Sequence, residues 1–145
     1  MKNKREFNLI DQAIHKLHNA ENYYKKIDRD TMQEDYIIRD CCLELQMSVE
    51  SFVKGLVEHL CGIDYDHKHE YAGNINKLKA NKKNIRKYEE LDKILDDIDD
   101  KADMITKWHT HALYISGFIT TIKQIDDVMS IAKRLKAYWE SIDDT

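Results

Sequence analysis

Proline is absent from this chain of 145 residues, and glycine occurs only four times. Sheet proteins draw on both residues at their frequent turns, so the scarcity points to long helices with few connections. No apolar run approaches the ~18 residues that a bilayer-spanning helix needs. The opening "MKNKREFNLIDQ" carries basic residues without the apolar core of a signal peptide. A cytoplasmic protein with no membrane association is therefore expected. Positive charge is not in excess either. The formal net charge is -4, which argues against nucleic-acid binding through overall charge but leaves room for a local basic patch. Cysteine occurs three times, at Cys41, Cys42 and Cys61. The odd count suits reduced thiols. Cys41 and Cys61 fall on one expected helix, nearly ~30 Å apart at ~1.5 Å per residue, so they cannot pair. All three are expected to be structural thiols in the interior.

What is present reads as one globular domain over residues 1–145. The sequence is 42% hydrophobic and 34% charged, enough to bury a core and solvate its surface, and no repeat or low-complexity linker divides it. A first helix is expected from about Glu6 to Ile27, with Ile10, Ala13, Ile14, Leu17, Ala20, Tyr24 and Ile27 on one stripe. "DRDT", Asp28 to Thr31, breaks it, and Asp30 or Thr31 is placed to cap the next helix. That second helix is expected over Met32 to Cys61. Its apolar face, Ile38 through Leu60, is too wide for one seam and calls for several partners or a dimer surface. Gly62 follows as the residue that ends the helix in a left-handed conformation.

A loop is expected over Ile63 to Tyr71, then a short helix over about Ala72 to Ala80. "KLKANKKNIRK", Lys77 to Lys87, concentrates positive charge and runs into an acidic helix expected from Tyr88 into the Ile105 to Tyr114 region. Gly117 in "ISGF" is expected to end that helix. A last helix is expected over Thr120 to Ser141, striped by Ile122, Ile125, Met129, Ala132, Leu135, Trp139 and Ile142. The sum is an all-α bundle of four long helices and a short one.

"QMSVESFVKGLVEHLCGIDYDHKHEY", Gln46 to Tyr71, places Gln46, Glu50 and Lys54 at four-residue steps, then Gly62, then His67 and His69. This pattern resembles the HEPN family of helical, nucleotide-binding-associated domains, whose members often carry Q, E and K at this spacing before a glycine and a loop histidine. "FNLIDQAIHKLHNAENYY" is similar to the family's first helix, and "WHTHALY", Trp108 to Tyr114, sits where many members have an aromatic and then an Arg-Tyr pair. The resemblance covers nearly the whole chain and implies an up-down helical bundle. It implies a homodimer, a nucleotide or RNA nearby, and a partner such as a small nucleotidyltransferase in a toxin–antitoxin or phage-defence system. Two departures separate this chain from the family's ribonucleases. Their R-x(4–6)-H motif is missing, because none of Arg5, Arg29, Arg39, Arg86 and Arg134 has a histidine five to seven residues downstream. Leu113 also stands before Tyr114 where the arginine would be. A non-catalytic member is therefore expected.

Several residues are candidates for chemistry. Gln46, Glu50 and Lys54 share a helix face, and an exposed Glu-to-Lys pair in this order contributes ~0.2–0.5 kcal/mol. The stripe is read first as a structural frame and second as a ligand contact, with Lys54 as a point charge for phosphate. His69 is read as a loop residue bonded onto the bundle, or as part of a ligand site. His67 and His69 could reach one metal from an extended loop, but His109 and His111 diverge by ~200° on a helix, and no metal or cofactor is expected. "HEYAG" lacks the second histidine of H-E-x-x-H. His109 or His111, with Lys107 as a nearby cation, would be the acid–base groups of a divergent metal-independent ribonuclease, the alternative reading. Lys82, Lys83, Arg86 and Lys87 are the best candidates for nucleic-acid contact, and Tyr114 for a polar contact at the site. A helical bundle without any nucleotide binding is the third reading.

Overall fold

The computed structural model describes residues 8–111 and 119–143, and every regular element among them is helical. In chain order these are α1 (Leu9–Tyr24), α2 (Asp35–Leu56), α3 (Ala72–Ala80), α4 (Tyr88–His111) and α5 (Ile122–Ile142). A π-helical turn, Val57–Cys61, extends α2, and a 3-10 turn, Lys82–Asn84, follows α3. The expected series of four long helices and one short one is present.

Helix ends explain where expectation and structure part. α1 starts at Leu9 because the Asn8 side chain accepts a hydrogen bond from the Asp11 backbone N–H. It stops at Tyr24, three residues before the expected Ile27. Ile27 still joins the core, from outside the helix. Neither Asp30 nor Thr31 caps α2. The Asp28 carboxylate instead accepts from the backbone N–H groups of Asp30 and Thr31, closing a turn, and α2 begins after Glu34 without a side-chain cap. At the other end, Gly62 sits at φ 65° and ψ 25°, the left-handed conformation expected of it, and donates its N–H to the Glu58 carbonyl. The short helix falls on Ala72–Ala80 as expected. α5 starts at Ile122, and Thr121 and Gln124 form a reciprocal capping box. The expected helix end at Gly117, and the stretch leading to it, lie outside the described residues.

α2 is the centre of the molecule and packs on α1, α3, α4 and α5. Leu45, Val49, Phe52, Val53 and Leu56 are buried, as are the polar Gln46, Ser48, Ser51 and Lys54. The breadth of its apolar face is thus filled by helices of the same chain. Small residues let α1 approach closely. Ala13 and Ala20 face Ser48 and Cys41, whose side chains donate to the Ala13 and Ala20 carbonyls, and Gly55 lies against Ile10. Burial pushes the Cys41 thiol up to about 12, with Glu44 adding to the shift, and raises Cys42 further still. Neither supplies a thiolate nucleophile near neutral pH. Cys61 differs from expectation in being only partly buried, with its thiol directed at the Lys77 carbonyl.

Candidate functional site

The α2 stripe is one end of a polar cluster that joins three elements. Four-residue spacing stacks Gln46, Glu50 and Lys54 on one face. The Gln46 amide donates to Glu50 Oε1 at 2.8 Å, and Lys54 Nζ donates to Glu50 Oε2 at 3.2 Å. The pair is largely covered, with side-chain exposures of 10% for Lys54 and 16% for Glu50. Burial replaces a solvated surface pair with a charge pair whose members depend on each other.

The loop after Gly62 closes over this pair. Lys54 Nζ also reaches the His67 carbonyl at 3.4 Å and lies 5.6 Å from the centre of the Tyr65 ring. His69 Nδ1 sits 3.0 and 3.2 Å from the two Glu50 oxygens. Since the carboxylate only accepts, Nδ1 is the protonated nitrogen. Asn74 fixes the loop from the other side. Its carbonyl accepts from the Asp66 backbone N–H at 2.7 Å, and its amide donates to the Asp66 carbonyl at 2.9 Å. Asn74 was missed as a site residue. The signal was its place on the inner face of α3, in line with Tyr71, Ile75 and Leu78, where a polar residue needs a partner.

His109 arrives from α4. Its Nδ1 lies 3.3 Å from Gln46 Oε1, and its ring stacks on His69 with centroids 4.0 Å apart and planes at 28°. The Gln46 amide is oriented by its donation to Glu50, so its carbonyl faces His109 and accepts the Nδ1 proton. Both imidazoles thus turn Nδ1 to α2 side chains, and Nε2 of each has no partner among the described residues. His67 and His69 therefore do not act as a pair. His67 turns away to Asp64, at 3.4 Å, while His69 turns inward. Lys107 projects to solvent and Trp108 is buried in the core. His111 ends α4, but its side chain, like Tyr114, lies outside the described residues. No group of three or more His, Cys, Asp or Glu residues gathers around a metal-sized point among the described residues.

One polar atom in the cluster is unsatisfied. The Tyr71 hydroxyl is fully buried and has no hydrogen-bond partner among the described residues. Burial, reinforced by the charge of Glu50, holds its pKa well above the usual phenol range, and the nearby Gln46 side chain offsets only part of that rise while its amide donates to Glu50. Replacing a lone buried hydroxyl by hydrogen removes a desolvation cost of ~1–3 kcal/mol without breaking a bond. Tyr71→Phe is therefore expected to leave stability unchanged or raise it by about 1 kcal/mol, read from urea unfolding midpoints. A loss of that size instead would mean that the hydroxyl is hydrogen-bonded.

The basic candidates lie at a different corner. Lys79 is held by Asp92 at 3.7 Å and Asp96 at 2.9 Å, Lys77 donates to the Asp64 carbonyl, and Arg86 donates to the Ile142 carbonyl at the end of α5. Lys82, Lys83 and Lys87 are exposed and have no side-chain partner among the described residues. The structure thus divides the sequence candidates into an inner cluster with Lys54, His69 and His109, and an outer corner with Lys82, Lys83, Arg86 and Lys87. No family model, curated protein or solved structure matches this chain.

Proposed function

We propose that this chain is a non-catalytic, HEPN-like helical protein. In this reading it is the nucleotide- or RNA-associated partner subunit of a toxin–antitoxin, nucleotidyltransferase-paired or phage-defence system. One observation carries the non-catalytic part: the polar stripe is saturated from within. Glu50 accepts from Gln46, Lys54 and His69, and Lys54 divides its donors between Glu50 and the His67 carbonyl. A lysine so enclosed has little left for a phosphate, and it ties the loop to α2. Contact with RNA then falls to the exposed lysines of the outer corner, through backbone charge rather than base reading. The partner and the homodimer rest on the family resemblance.

Fluorescence anisotropy with a single-stranded RNA tests the association. The expected result is salt-dependent binding of RNA that stays full length. The combined Lys82→Ala, Lys83→Ala and Lys87→Ala variant should bind at least tenfold more weakly and show a shallower salt slope. Absent binding, or binding indifferent to the triple change, would contradict this reading.

The His69–His109 stack favours a second reading, a divergent metal-independent ribonuclease. Two neighbouring imidazoles with free Nε2 atoms are the groups that acid–base cleavage of RNA requires. Among the described residues no arginine is hydrogen-bonded to them, and Lys107 is exposed.

A further inference from the structure

The loop between Gly62 and α3 is anchored unevenly. Asn74 holds the Asp66 backbone N–H at 2.7 Å and its carbonyl at 2.9 Å, and Tyr71 is buried where α3 begins. Between these two anchors residues 67–70 are exposed. Two side-chain contacts hold that segment to α2: Lys54 Nζ on the His67 carbonyl, and His69 Nδ1 on the Glu50 carboxylate. The His69 side chain is 55% exposed, and one face of its ring is covered by His109, with centroids 4.0 Å apart.

The charges that meet His69 come from each neighbouring element. α2 presents Glu50, whose carboxylate is shared with Lys54 at 3.2 Å. α4 presents His109, whose Nδ1 faces the neutral Gln46 amide. Tyr71 lies within the field of Glu50 and stays neutral, because burial holds its hydroxyl well above the usual phenol range. On the loop itself Lys68 and Glu70 are exposed. With both rings neutral, Lys54 and Glu50 cancel and the cluster carries no net charge. One proton on His69 makes its bond to Glu50 charge-assisted. A second proton, on His109, finds no carboxylate of its own. It sets two cations face to face at 4.0 Å, with the one acid between them already engaged by Lys54.

We propose that the His69–His109 stack is a pH-sensitive latch, which closes residues 67–70 over Lys54 and Glu50 near neutral pH and releases them when both rings are protonated. The open segment takes up two protons more readily than the closed one. Closure is therefore lost as pH falls through the ordinary histidine range near ~6.5, and it returns as pH rises again. Release frees Lys54 from the His67 carbonyl and opens the Glu50–Lys54 pair to solvent, while Asn74 keeps Asp66 in place. The latch is independent of RNA association, which the outer lysines carry.

Backbone NMR order parameters of the full chain, measured at about pH 7.5 and about pH 5, test the proposal. The lower value still lies above the ordinary carboxylate range of ~4, so histidines are the groups that change charge. Amides of residues 67–70 are expected near ~0.85 at the higher pH and below ~0.6 at the lower, with those of α5 unchanged. The cross-ring nuclear Overhauser contact between His69 and His109 should vanish over the same interval. His109→Gln removes the second cation at a partly exposed position, and its segment should stay ordered at both pH values. His69→Gln should likewise remove the pH response, whatever order the segment then has. His67→Ala should keep the response, since His67 turns to Asp64 and not to the stack. A wild-type segment equally ordered at both pH values would overturn the latch. So would a response that survives either glutamine change, or one that His67→Ala abolishes.

Discussion

Replacing Glu50 with alanine is expected to lower stability by about 3 kcal/mol, the cost of breaking a largely buried charge pair. The effect exceeds that of an exposed helix pair because Lys54 would keep its burial and lose its carboxylate, with only the His67 carbonyl and the Tyr65 ring left near its ammonium. For a chain of this size the melting midpoint should fall by about 10 °C. Glu50→Gln retains an acceptor for Lys54 and should cost clearly less. The double change Glu50→Ala with Lys54→Met should recover about 1–3 kcal/mol of the sum of the single losses, because it removes the stranded charge. Hydrogen exchange adds a local readout. Amides of the loop over residues 63–71 should lose protection in Glu50→Ala, since Lys54 and His69 hold that loop through Glu50. A Glu50→Ala protein as stable as the wild type would show that the cluster is not a frame.

Gly55→Val should be of similar size, at about 3 kcal/mol, by a different route. A Cβ built at Gly55 would lie 2.7 Å from Ile10 Cδ1, 2.9 Å from Ile10 Cγ1 and 3.2 Å from the Ile10 backbone nitrogen. The side chain can yield, but the backbone of α1 yields only by moving the helix, and a branched residue aggravates the clash. Gly55→Ala should cost less, about 1 kcal/mol, because a helical alanine returns ~1 kcal/mol over glycine. Adding Ile10→Ala to Gly55→Val should restore part of the loss if steric conflict is its origin. Thermal melts of the three variants settle the order, and a neutral Gly55→Val would refute the close α1–α2 approach.

These two residues also mark what the sequence made legible. The stripes of α1, α2 and α5 were readable because helical spacing fixes which side chains share a face. Gly62 and the Ala72–Ala80 helix were readable because their signals are local. The cap of α2 was not. Asp30 and Thr31 are both able to cap, but their backbone N–H groups are taken by the Asp28 carboxylate in a local turn that competes with the cap. Gly55 looked like an ordinary helix residue, since nothing in its neighbourhood announces that Ile10 crosses there. The stripe of Gln46, Glu50 and Lys54 and the loop position of His69 were both read in advance. Their meeting with His109 was not, because periodicity states which way a residue faces and not which distant residue it faces. Pairing the histidines as H-x-H followed sequence proximity, whereas the fold pairs His69 with His109 and leaves His67 outside.

The frame and the reaction centre are the two roles open to the Gln46–Glu50–His69–His109 cluster, and cleavage of RNA separates them most directly. Purified protein would be incubated with labelled single-stranded RNA, with and without chelator, beside the His69→Ala and His109→Ala variants. Intact RNA in every reaction is the result this account predicts. Chelator-resistant cleavage by the wild type that either histidine change abolishes would contradict it and make the stacked imidazoles catalytic.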